Sequence, residues 1–168
     1  MGKKINERSV VLLGVEKILE LGWDAPEDLA ALLYHELGHI GQQNGRVAIA
    51  QNQTEYSILQ LCQEGVAMYF EQLLCDNMNF YHQDKNGWLD WCVSNTDFIK
   101  KEYLHRINTN QSTQEFFGDW NNFHDYSDVG YYLGCEFVKH LVGKYSINKV
   151  TMLKAGELLK EFELYAAH

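Results

Sequence analysis

Residues 35–39 read His35-Glu36-Leu37-Gly38-His39, and this stretch constrains the chain more than any other. On an α-helix, side chains four apart sit one above the other on the same face. His35 and His39 can therefore aim one imidazole each at a single metal ion. Glu36 follows the first ligand and lands beside the open coordination position, where a general base is needed. Zinc held this way lowers the pKa of its water toward ~7 and polarises a carbonyl. A carboxylate beside it can take the water's proton and pass it to a leaving amine. The pattern is that of metal-assisted peptide-bond hydrolysis, with a mechanism behind each position.

A five-residue pattern also arises by chance, so its surroundings matter. Asp24-Ala25-Pro26-Glu27 reads as a helix start, with Asp24 as N-cap, glutamate three residues on and proline in the first turn. Leu29, Leu33, Leu37 and Ile40 then recur at helical spacing and predict the buried stripe of that helix, which ends between Gly41 and Gly45. Gly38 sits inside it at a cost of about 1 kcal/mol relative to alanine. Close approach of backbone or substrate would account for it; early fraying is the alternative.

The length suits one domain spanning residues 1–168 with a real core. The net charge of −9, without a basic run, argues against nucleic acid as a partner. Cys62, Cys75, Cys92 and Cys135 are widely spread and form no C-x-x-C pair. They read as buried thiols of a reducing compartment. No stretch is apolar enough to span a membrane, and Val10 to Val15 is too short for a signal-peptide core. The expectation is a cytoplasmic protein with no membrane or nucleic-acid partner.

Apolar spacing predicts a first helix from Val10 to Leu21 that stops at Gly22, and a long one from Glu55 to Leu74. Asn44 to Thr54 is polar and reads as loop. Asp84-Lys85-Asn86-Gly87 is a turn signal. Trp88 to Cys92 and Phe98 to Leu104 predict one or two helices, and Asn108 to Thr113 a loop. Val129 to Val142 is expected to be helical up to Gly143 or Tyr145, followed by a last helix from Asn148 to Tyr165. Asn79 to His82 is the best candidate strand. Phe116, Phe117, Trp120 and Phe123 form an aromatic group that either packs the core or walls a substrate pocket. The fold class is mainly α, a compact helical domain with a minimal or absent β-sheet.

Catalytic zinc takes three protein ligands and keeps a position for water, so two histidines need one more. His82, His105, His124, His140, His168 and many carboxylates are available. The metzincin pattern would need glycine at position 42 and histidine at 45; Gln42 and Gly45 exclude it. Glu64 is the better choice, because a helix antiparallel to the first could carry it to the metal. Gly65 and Ala67 beside it permit close packing. Glu71, one face-repeat further on, could bond the outer nitrogen of a zinc histidine or be a solvated charge.

His35-Glu36-Leu37-Gly38-His39 followed by Gln63-Glu64-Gly65-Val66-Ala67-Met68-Tyr69-Phe70-Glu71 resembles the gluzincins, most closely the aminopeptidase-N-like branch. Gly130-Tyr131-Tyr132-Leu133-Gly134-Cys135-Glu136-Phe137-Val138 further resembles a helix of bacterial families of predicted zinc-dependent proteases. The resemblance implies a zincin-like domain binding one zinc through His35, His39 and Glu64. It implies Glu36 as general base and a peptide or protein substrate. A donor for the tetrahedral oxyanion is also implied; among Tyr131, Tyr132, Tyr126 and His124, Tyr131 has the family-like position. The chain departs from the pattern in three ways. The gap from His39 to Glu64 is long, no Gly-x-Met-Glu-Asn-like segment precedes the motif, and few residues remain upstream for a sheet. Two rival readings stay open: a metal-binding or regulatory protein without turnover, and a structural helical protein with a chance motif.

Overall fold

The computed structural model describes residues 2–5, 8–43, 50–118 and 122–167. Strands β1 (Gly2–Ile5) and β2 (Arg8–Val11) pair antiparallel, with Gly2 opposite Val11 and Ile5 opposite Arg8. The helices are α1 (Val15–Leu21), α2 (Pro26–Gln43), α3 (Gln53–Leu74), α4 (Trp88–Ser94), α5 (Thr96–Asn108), α6 (Val129–Val142), α7 (Ile147–Val150) and α8 (Ala155–Ala166). A 3-10 turn at Gln114–Phe116 lies between α5 and α6. The protein is mainly α-helical, and among the described residues the sheet is the antiparallel pair β1–β2, laid against α2.

Helix α3 is the axis of the fold. Asn52 caps it by accepting from the Glu55 N–H at 2.9 Å. Ile58, Leu61, Val66 and Met68 along its length are all fully buried. It packs against α2, α5, α6 and α8. Two of these contacts need glycine. A Cβ on Gly65 would stand 2.1 Å from the Gly134 carbonyl oxygen, and one on Gly134 would stand 2.5 Å from the Leu61 oxygen. Helices α3 and α6 therefore meet backbone to backbone. Around this crossing Tyr103, Phe116, Phe123, Phe137 and Phe162 fill the core. Edge-on and stacked ring pairs join them, such as Phe116 on Phe123 with centroids 4.3 Å apart.

Several sequence expectations are corrected. Val10 and Val11 belong to β2, not to the first helix, which begins only at Val15 after Gly14; the β-branched pair suits a pleated strand. Gly22 ends α1 with φ 68°, as expected. The first α2 hydrogen bond runs from the Leu29 N–H to the Ala25 carbonyl, so Ala25 and not Asp24 holds the cap position. Asn79 to His82 is a turn region, not a strand. Its backbone is folded back on α3, where the Gln72 side chain donates to the Phe80 carbonyl at 2.9 Å. The expected last helix is two, because the chain bends at Thr151 to Lys154 to bury Leu153. Trp120, His168 and most of the Asn44–Thr54 loop lie outside the described residues.

The largest correction concerns α2. Leu33 and Leu37 are exposed, and Leu29 and Ile40 only half-buried. The buried face is the polar and small one, carrying Asp28, Ala31, His35, Gly38 and Gln42. Buried polar groups need partners, and α3 supplies them.

Candidate metal centre

Helices α2 and α3 run antiparallel, which the order of their contacts makes plain. Near the end of α2, the Gln42 side chain donates to the Gln63 carbonyl at 2.9 Å. One turn back, a Cβ on Gly38 would lie 2.9 Å from the Ala67 Cα. One turn further, His35 faces Glu71. The mid-helix glycine is thus explained by backbone approach. Gly65 and Ala67 serve different neighbours: Ala67 admits α2 and Gly65 admits α6.

This close contact gathers three donor atoms. His35 Nε2 lies 3.2 Å and His39 Nε2 3.1 Å from Glu64 Oε2, and the two nitrogens are 3.1 Å apart. A tetrahedral zinc at about 2.0–2.1 Å from nitrogen and oxygen donors spaces them about 3.3 Å apart. The near-equilateral triangle therefore fits three corners of such a site, with the fourth free of this donor set. Among the described residues it is the one group of histidine, cysteine or acidic side chains arranged to hold a metal.

The electrostatics match. Burial works against charge on His35, but the Glu64 and Glu71 carboxylates outweigh it and hold the pKa well above the ordinary imidazole range. Burial opposes a charged Glu64 too, yet its bonds with His35 and His39 hold that carboxyl far below its usual range. A metal ion bound here would compete with protons for the same lone pairs.

Glu71 is fully buried, not solvated. Its Oε2 lies 3.5 Å from His35 Nδ1, on the side of the ring away from the donor triangle. Both its oxygens lie within hydrogen-bond distance of His82 Nδ1, at 2.9 and 3.0 Å. A carboxylate only accepts, so this nitrogen carries the proton. Burial disfavours the Glu71 charge, and His35 and His82 more than offset that, keeping its pKa low.

Glu36 is buried on α2 next to His35. Tyr131 lies in the first turn of α6, half-buried, its ring centroid 5.5 Å from that of His35. Helix α6 does not pack on α2; it packs on α3, and the Tyr131 side chain bridges the distance. Gly130 leaves no room for substrate, since a Cβ there would meet the Phe117 ring at 2.4 Å. The other oxyanion candidates are engaged elsewhere. The Tyr132 hydroxyl is 2.7 Å from Thr96 Oγ1, Tyr126 stacks on Trp91, and His124 packs against Phe98 and Phe123. Of the aromatic group, Phe116 and Phe123 are core, while Phe117 touches Tyr131. His105 is exposed on α5 and His140 stands beside Tyr165, both outside the triangle.

No family model, curated protein or solved structure matches the chain.

His82 is the residue whose place the sequence did not disclose. As one of several spare histidines it carried no signal. The turn marked by Asp84-Lys85-Asn86-Gly87 was the available hint that the preceding residues fold back. There Lys85 donates to Asp28 at 2.8 Å, tying this loop to the start of α2.

Proposed function

We propose that this protein is a gluzincin-like peptidase that binds one zinc through His35, His39 and Glu64 and hydrolyses peptide bonds. The observation that carries the reading is the donor triangle, with sides of 3.1–3.2 Å, formed by two neutral-capable imidazoles and a carboxylate. When bound there, zinc would supply a Lewis acid and make water more acidic. Glu36 takes a proton from the attacking water and returns it to the leaving amine. Tyr131, packed beside His35, donates its hydroxyl proton in a hydrogen bond to the developing oxyanion. The substrate is a peptide or protein. One domain carries the site, and its four free thiols suit a cytoplasmic setting. Among the described residues no helix is long and apolar enough to cross a membrane.

The test separates binding from chemistry. Glu36→Gln should keep stoichiometric zinc while hydrolysis of a peptide library falls to background. Wild-type turnover in that variant would remove Glu36 from the mechanism. The burial of Glu36 and His35 favours one rival, a metal-binding protein without turnover. Stoichiometric zinc with no cleavage of any library member by the wild type would establish that rival instead.

A further inference from the structure

Glu71 and His82 are held too deep to be surface charges, and nothing in the proposed chemistry uses His82. Its ring is buried, edge-on to Trp23 at 4.7 Å and to His35 at 5.9 Å between centroids. Trp23 belongs to the short link between α1 and α2, so three separate segments converge behind the donor triangle. Glu71 Oε2 lies between two imidazoles, 3.0 Å from His82 Nδ1 and 3.5 Å from His35 Nδ1. Oε1 binds His82 alone, at 2.9 Å. The proton on His82 Nδ1 fixes the plane of the carboxylate. In that plane Oε2 faces His35 Nδ1 and favours the tautomer with its proton there. His35 Nε2 is then left with a bare lone pair on the triangle side, which is the form a metal requires.

We infer that His82 is a positioning residue for the zinc-binding ring of His35, acting through the Glu71 carboxylate that both imidazoles share. The inference rests on the zinc reading above. It assigns His82 no contact with zinc or substrate. Without its His82 donor, Glu71 is a fully buried carboxylate whose remaining imidazole contact is longer than a hydrogen bond. Such a group is free to turn away in search of another donor, which removes its hold on His35.

The experiment measures the zinc dissociation constant by competition with a chromogenic chelator, alongside the melting temperature of each metal-free variant. His82→Phe keeps a ring beside Trp23 but has no donor. His82→Asn leaves a gap beside Trp23 but places an amide N–H where Nδ1 was. The expected result is a 10- to 100-fold weaker zinc affinity for His82→Phe, the usual effect of losing an outer-sphere partner, and affinity within about threefold of wild type for His82→Asn. Glu71→Gln should weaken zinc similarly, and adding His82→Phe to it should cost little more, because the two act in series. A merely structural His82 would shift melting temperatures but leave the affinities alone, and that outcome overturns the inference. So does an additive double variant. Two measurements stand without His82→Phe, should it fail to fold. One is the affinity of Glu71→Gln. The other is a nitrogen-15 long-range spectrum of the wild type, in which His82 must carry its proton on Nδ1. Unchanged zinc affinity in Glu71→Gln, or a proton on Nε2 of His82 alone, refutes the inference. Wild-type protein that binds no zinc would instead refute the zinc reading itself, and the inference with it.

Discussion

Two glycines on α2 should respond in opposite ways to the same substitution. Gly38 and Gly41 both lie inside this helix, where alanine is intrinsically better by about 0.8–1.0 kcal/mol. At Gly41 an added Cβ meets nothing within 4 Å, so Gly41→Ala should stabilise the metal-free protein by about 0.5–1 kcal/mol, roughly 1–4 °C in Tm for a chain of this size. At Gly38 the same Cβ would stand 2.9 Å from the Ala67 Cα, about 1 Å inside carbon–carbon contact distance. The neighbour there is backbone and cannot rotate away. Helices α2 and α3 must part, at the usual overpacking cost of about 1–3 kcal/mol. Net of the helix gain, Gly38→Ala should destabilise by about 0–2 kcal/mol. The larger effect falls on the metal. Parting the helices by even half of the overlap carries His35 and His39 away from Glu64 and opens a triangle whose sides are 3.1–3.2 Å. Urea unfolding of the metal-free proteins and zinc competition at one pH measure the two effects. Zinc affinity should fall at least tenfold in Gly38→Ala and stay at the wild-type value in Gly41→Ala. If Gly38→Ala is as stable as Gly41→Ala and binds zinc fully, the close helix contact does not exist as described.

The remaining predictions concern the same site. His35→Ala and Glu64→Ala should each lose most bound zinc by elemental analysis; stoichiometric zinc in Glu64→Ala would exclude it as third ligand. Tyr131→Phe should lower kcat on the order of 10²-fold with little change in KM, zinc content or stability, whereas Tyr132→Phe should cost about 1 kcal/mol of stability through the lost Thr96 bond and leave kcat alone. The reverse pattern would exchange their roles. In the metal-free protein His35 titrates at about 9 against an ordinary 6.5. Its stabilisation is present below pH 6.5 and is lost as pH rises through about 9. Glu64 titrates at about 2 against 4.5, so its contribution is present above pH 4.5 and is lost as pH falls toward 2. Metal-free Tm should therefore be highest between those limits. The Tm gain from added zinc should grow from pH 6 to pH 8 as proton competition weakens; a gain independent of pH would mean that no proton leaves on binding.

How much of this was legible in the sequence depends on whether the signal was local. The helix that carries His35 and His39 could be read because its spacing and proline start are local facts. The extent of α6 was likewise set by neighbouring residues, whereas the start of α3 at Gln53, capped by Asn52, lay inside the stretch expected to be loop. The orientation of α2 was misread. Its leucine stripe was the natural buried face, yet His35, Gly38 and Gln42 are turned inward because α3 offers Glu64, Ala67 and the Gln63 carbonyl. Local periodicity cannot see a partner that satisfies a polar face. The split between α7 and α8 failed for a related reason, since only the core's demand for Leu153 bends the chain there.

The inverted orientation of α2 bears on what the helix is for. A helix placed for stability alone would bury its leucines, at about 25 cal/mol per Å² of apolar surface removed from water. Here Leu33 and Leu37 stay exposed, while the His35 and His39 imidazoles and the Gln42 amide of α2 are turned toward Glu64, Glu71 and the Gln63 carbonyl of α3. That arrangement forfeits apolar burial and carries the desolvation cost of charged groups. The cost is offset where the groups are paired, Glu64 with both histidines and Glu71 with His82 at hydrogen-bond distance, while His35 Nδ1 keeps a 3.5 Å ion-pair contact with Glu71. A chance motif on a structural helix would not require this trade, which supports the metal reading proposed above. Sequences break a local rule at positions where the site and not the core dictates the geometry. The buried His35–Glu71–His82 line behind an otherwise minimal triangle is where this chain does so.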